Sequence, residues 1–173
     1  EVIASLNTEI SAIEAPARKA LLAKRDPSSH IQPPPALYAW EFDASYEDTT
    51  GELIGKAVGS PRLEEGALIV DDARSYVETP PLPREFGAKT LVALVQLSDL
   101  DQQGGAAISL QTPNGNVFDA IVFGERESRR WMAGSNGYAR SQHFGGDEET
   151  EAHQQAVHLA VVYHEDGKIE RYR

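Results

Sequence analysis

The chain has 173 residues and no cysteine. That length can bury a core in one domain, or one domain with an appendage, and the absence of thiols excludes disulfide scaffolds, cysteine-ligated zinc and covalent c-type haem within it. Asp and Glu number 27 against 16 Lys and Arg, a net charge of −11 that sets the chain against a nucleic-acid backbone or an anionic membrane face. No apolar run approaches the ~20 residues of a membrane span.

From the start of the chain, Ile3, Leu6, Ile10, Ile13, Ala17 and Leu21 follow the three-four spacing of a helix with one apolar stripe. Pro16 predicts a kink or a second helix start, and Arg18, Lys19, Lys24 and Arg25 complement the dipole of a helix that ends near Asp26. Residues 1–25 therefore read as a coiled-coil-like helical arm whose stripe, residues 3–25, needs a helical partner. That partner is another helix of a parent protein or a second copy of the arm, and the interruption at Pro16 favours the first. Residues 26–35, ending in Pro33-Pro34-Pro35, form a stiff linker. Residues 1–36 hold four basic and four acidic side chains, so all of the excess negative charge lies beyond them.

After Ala36 the apolar period falls to two. The strongest strands are 91–97 and 157–163, apolar on both faces and so expected inside a stack of sheets. Shorter ones are predicted at 37–42, 67–70, 75–79, 106–111, 117–123, 130–133, 138–142 and 168–172. Turn signals punctuate them at Pro113-Asn114-Gly115-Asn116, Ser135-Asn136-Gly137 and Glu165-Asp166-Gly167. About ten short strands without an intervening helical pattern predict an all-β antiparallel sandwich over 36–173.

Trp40-Glu41-Phe42-Asp43, Gly66-Ala67-Leu68-Ile69-Val70-Asp71, Tyr76-Val77-Glu78-Thr79-Pro80, strand 91–97 and His158-Leu159-Ala160-Val161-Val162-Tyr163 before Asp166-Gly167-Lys168-Ile169 occur in an order that resembles a laminin-G-like domain of the concanavalin A-like lectin and glucanase superfamily. The resemblance implies a two-sheet jelly roll. A narrower likeness, carried by Asp101-Gln102-Gln103-Gly104-Gly105, residues 114–125 and Arg130-Trp131-Met132-Ala133-Gly134-Ser135-Asn136-Gly137, is to the lectin-like module of large secreted planctomycete proteins that also carry a cytochrome-c-like haem domain. It implies an exported setting, periplasmic or at the cell surface, within a longer polypeptide. It also implies one more strand beyond Arg173.

Retaining glucanases of that superfamily set two glutamates and an aspartate at alternate strand positions, acid and nucleophile about 5 Å apart. The local match at residues 117–122 keeps only Asp119, so the chain reads as non-catalytic and without a cofactor of its own. Glu41 and Asp43 are expected as solvated carboxylates on one face of an opening strand, and the histidines suit neither a nucleophile nor a metal. Laminin-G-like domains often hold calcium at the sandwich rim, which makes Asp71 with Asp72, and Asp99 with Asp101, the candidate ligands; the alternative is that these carboxylates close their own turns.

Residues 125–146 concentrate Arg126, Arg130, Trp131, Asn136, Tyr138 and Arg140, the rings and planar polar groups that hold a sugar. The expected partner is a polysaccharide or a neighbouring domain of the same polypeptide; because the segment is basic within an acidic module, an anionic glycan or an acidic domain patch would suit its sign. Trp131 sits in a predicted strand, where its ring serves either the core or a ligand. Asp147-Glu148-Glu149 is expected to be a solvated charge run after the Gly145-Gly146 loop.

Overall fold

The computed structural model describes Leu6, Ile10, Ala12, Ile13, Pro16, Ala17, Lys19, Ala20 and residues 34–135 and 141–173. The chain divides into two units, Glu1–Ala39 and Trp40–Arg173. In the first, the described residues from Leu6 to Ala20 are helical, and Leu6, Ile10 and Ile13 are exposed. The rest of the expected arm and most of the expected linker lie outside the described residues.

The second unit is built of antiparallel strands: β1 (Lys56–Val58), β2 (Arg62–Glu64), β3 (Ala67–Ile69), β4 (Tyr76–Glu78), β5 (Lys89–Val95), β6 (Ala106–Gln111), β7 (Phe118–Phe123), β8 (Trp131–Ser135), β9 (Gln142–His143), β10 (Val157–Tyr163) and β11 (Ile169–Tyr172). Their pairings are β1-β4, β2-β3, β11-β10-β5 and β6-β7-β8-β9. Eight of the predicted strands recur with boundaries shifted by at most a few residues, although residues 138–140 of the predicted ninth-strand segment lie outside the described ones. The strand expected at 37–42 is absent. Phe42 has φ 60°, a left-handed conformation that breaks extended backbone, so Glu41 and Asp43 share no strand face.

Two strands, β1 and β2, escaped the sequence pattern. β2 and β3 meet through Glu65-Gly66, with Glu64 paired to Ala67. Both turn residues have positive φ, 51° and 75°, as a tight primed hairpin requires. Glycine meets that demand freely. Glutamate at the first position carries no recognisable turn signal, which hid the hairpin.

The two larger sheets share one core. Leu91 of β5 and Val157, Leu159, Val161 and Tyr163 of β10 pack with Ile121 and Phe123 of β7 and Trp131 and Ala133 of β8. Burying each such side chain contributes about 1.5–3 kcal/mol, and this shared set gives the unit its sandwich-like layering. The hydroxyl of Tyr163 crosses between the layers: it accepts from the Ala120 N–H at 3.2 Å and lies 2.8 Å from the Gly134 carbonyl.

The doubly apolar strands do not both behave as expected. β5 buries Leu91 but leaves Val92 and Leu94 exposed, Leu94 at 71%. The strands buried on both faces are β7, from Asp119 to Phe123, and β8, from Trp131 to Ser135. What packs on each face decides this. On β7 one set of side chains, Ile121 and Phe123, joins the shared core and the other, Ala120 and Val122, packs with Met132 and Phe118, whereas Val92 and Leu94 on the outer face of β5 stay exposed.

Candidate functional site

The loop between β7 and β8 turns at Gly124, whose N–H donates to the Arg130 carbonyl at 3.0 Å. Its φ of +63° and the Gln102 carbonyl oxygen, 2.5 Å from where a Cβ would stand, leave room for no other residue. The tight neck projects Arg126 and Glu127 beside the short strand β9, whose Gln142 and His143 pair with Ala133 and Met132 of β8. From the other sheet, Arg171 of β11 reaches over so that its Nη1 donates to Gln142 Oε1 at 2.8 Å.

These side chains enclose a depression of about 400 Å³, lined also by Met132, Ser141 and Gly145. Met132 is buried there, while Arg126, Gln142 and His143 are exposed and Arg171 is half-buried. His143 Nδ1 accepts from the Gly145 N–H at 2.9 Å, which places the neutral ring's proton on Nε2. The site can therefore offer two guanidiniums, an amide and an imidazole N–H around an apolar floor.

Of the sequence-predicted binding residues, Arg126 lines the depression. Arg130 stands beside it, its Nη1 donating to the Gly146 carbonyl at 2.8 Å and its Nε 3.4 Å from Glu127 Oε2. Asn136, Tyr138 and Arg140 lie outside the described residues. Trp131 is turned inward, only 4% exposed, with its ring 4.8 Å from that of Phe123. Of its two expected roles it takes the core one.

The Trp131 indole explains a second correction. Glu149 is not part of a solvated run: it is buried, and its Oε2 accepts from Trp131 Nε1 at 2.8 Å. Its Oε1 accepts from the backbone N–H groups of Thr150, Glu151 and Ala152, and Arg173 donates to both oxygens at 2.7 and 2.9 Å. Burial pushes this carboxyl upward, but the Arg173 guanidinium and the backbone and indole donors outweigh it and hold the pKa at about 2.

The four aspartates proposed for a cation each have protein partners. Asp71 pairs with Arg62 and Asp101 with Arg129, the latter at 2.7 Å. Asp72 accepts from Ser75 Oγ and the Arg74 N–H, which hold its carboxyl below the ordinary range, and Asp99 accepts from the Asp101 and Gln102 N–H groups. Among the described residues no three or more His, Asp or Glu converge to hold a metal.

Asp119 lies in the interior, its Oδ2 2.6 Å from Lys89 Nζ and its Oδ1 accepting from Ser135 Oγ. Sequence reading missed Arg171, Gln142, Ser141 and Glu127. Arg171 is remote in sequence from the basic segment, and its one available signal was its place in the predicted strand 168–172. No protein-family model, curated protein or solved structure matches the chain. No helix among the described residues is long and apolar enough to cross a membrane.

Proposed function

We propose that this chain is a non-catalytic, lectin-like module with a concanavalin A-like jelly roll, which binds carbohydrate in the depression between β9, β11 and the loop at Arg126. The observation that carries this reading is the donor set. Arg126, Arg171, Gln142 and His143 surround the buried Met132, and planar donors about an apolar floor match the hydroxyls and ring face of a sugar. The non-catalytic part is supported by Asp119, whose carboxylate is engaged by Lys89 and Ser135 in the interior. The exported, haem-associated polypeptide implied by the sequence resemblance belongs to the same proposal; a rim calcium does not, because turns and arginines account for the four aspartates.

The second reading is an architectural spacer that packs against neighbouring domains. It is favoured by the exposed apolar residues Val92, Leu94 and Tyr172 on the three-stranded sheet. A glycan array probed with the whole chain separates the two: retention of any neutral or acidic glycan, lost in Arg126→Ala, supports the lectin reading, and retention of none leaves the spacer. Release of reducing ends that disappears in Asp119→Asn would overturn the non-catalytic assignment.

A further inference from the structure

The chain carries an excess of eleven negative charges, and several of its described arginines pair with carboxylates. Arg62 pairs with Glu64 and Asp71, Arg129 with Asp101, Arg130 with Glu127, and Arg173 with Glu149 and Glu151. Arg74, Arg84, Arg126 and Arg171 have no carboxylate partner among the described residues, and of these Arg126 and Arg171 stand together. Among the described residues, Arg126 has no hydrogen-bond or ion-pair partner, and Arg171 donates only to the neutral amide of Gln142. Both line the same depression.

Glu127, the one carboxylate on the lining, lies 3.4 Å from Arg130 and is thereby offset. His143 adds a donor rather than an acceptor, because its Nδ1 is taken by the Gly145 N–H. The lining thus combines two uncompensated guanidiniums with further N–H donors. Guanidinium forks match the paired oxygens of a carboxylate or sulfate, and such charge-assisted bonds are roughly twice as strong as neutral ones. A neutral hydroxyl would leave both charges without a counter-ion.

From this we infer that the depression takes an oxyanion group, a carboxylate or a sulfate ester, of an acidic carbohydrate. The inference rests on the carbohydrate-binding reading and sharpens it to a ligand class. The half-buried Arg171, steered by Gln142, fixes one fork, and the unpartnered Arg126 closes on the anion from the loop.

The test measures binding of the whole chain to neutral dextran, dextran sulfate and polygalacturonate by affinity electrophoresis, at low and high salt. At least one anionic polymer is expected to bind, with affinity falling as salt rises, and dextran is not. Which anionic polymer binds separates sulfate from carboxylate as the source. Arg126→Gln, which removes no contact within the described fold, is expected to weaken binding about tenfold. Arg171→Gln should do the same while its melting midpoint reports on folding. Arg74→Gln removes an exposed charge outside the depression and should alter binding by less than about twofold.

Equal binding of dextran and the anionic polymers, or unchanged binding by both Arg126→Gln and Arg171→Gln, would overturn the oxyanion inference and leave carbohydrate binding standing. Failure to bind any of the three, together with a blank glycan array, would instead remove the lectin reading beneath it.

Discussion

Lys89 and Asp119 meet inside the sandwich from opposite layers, Nζ of β5 2.6 Å from Oδ2 of β7, with both side chains largely out of solvent. Ser135 Oγ donates to the other carboxylate oxygen, and the ammonium sits 5.2 Å from the Tyr163 ring centroid. A pair so placed contributes little over an apolar substitute but makes the loss of one partner costly. Lys89→Met should therefore destabilise the fold by about 3 kcal/mol in urea titration, through the charge it strands. Adding Asp119→Asn in that background should recover part of the loss, since the amide oxygen still accepts from Ser135. Additive losses in the double-mutant cycle would contradict this coupling.

Tyr163 carries the neutral counterpart of the same link. Its hydroxyl serves the backbone of Ala120 and Gly134 in the opposite layer. Tyr163→Phe keeps the ring volume and leaves those buried backbone groups short of a partner, which costs about 1–3 kcal/mol. The loss should appear in the denaturation midpoint with an unchanged slope.

Glu149 links β11 to the Trp131 side of the core, and its charge makes stability depend on pH. Its folded pKa of about 2 lies below the ordinary glutamate value of 4.5. The stabilisation is thus complete above pH 4.5 and disappears as pH falls toward 2, amounting to about 3 kcal/mol over that window. Glu149→Gln should be less stable at neutral pH and flatter between pH 5 and 2 than the parent. Equal acid sensitivity of variant and parent would assign the acid transition to other carboxylates.

Much of this was legible from residues alone, and the failures have particular causes. Alternation and Asx-Gly turns located β6, β7, β10 and β11 closely, because a two-residue period is a property of the strand itself. The outer face of β5 was not legible. Val92 and Leu94 alternate as apolarly as their buried neighbours, and exposure depends on which layers stack above them. Glu149 looked like part of an acidic run because its partners, Trp131 and Arg173, are distant in sequence. The depression was half visible for the same reason: Arg126 announced itself in a basic segment, while Arg171 arrives from another sheet.

The rim aspartates offer a direct contrast between turn chemistry and metal binding. Asp99 accepts two backbone N–H groups, at 2.8 and 2.9 Å, and Asp72 accepts from Arg74 and Ser75. Thermal melting should show the same midpoint with and without a calcium chelator, because these carboxylates are satisfied by protein donors. Asp99→Ala should cost about 1 kcal/mol through the lost turn bonds. A midpoint that falls on chelation would restore the cation site.

Two leucines on neighbouring strands measure how unequally the three-stranded sheet uses its faces. Leu159 of β10 is fully buried in the shared core, and Leu94 of β5 stands outward opposite His158. Truncating Leu159 to Ala removes packed methyls that the surrounding layers cannot refill, at a cost of about 2–5 kcal/mol, or roughly 5–15 °C in melting temperature for a unit of this size. Leu94→Ala should change stability by less than about 0.5 kcal/mol, because its side chain is already hydrated. If the outer face packs against another domain, Leu94→Asp should abolish that association in sedimentation while leaving the monomer's melting curve in place. A large loss of stability in Leu94→Ala would mean that this face is covered in the folded chain.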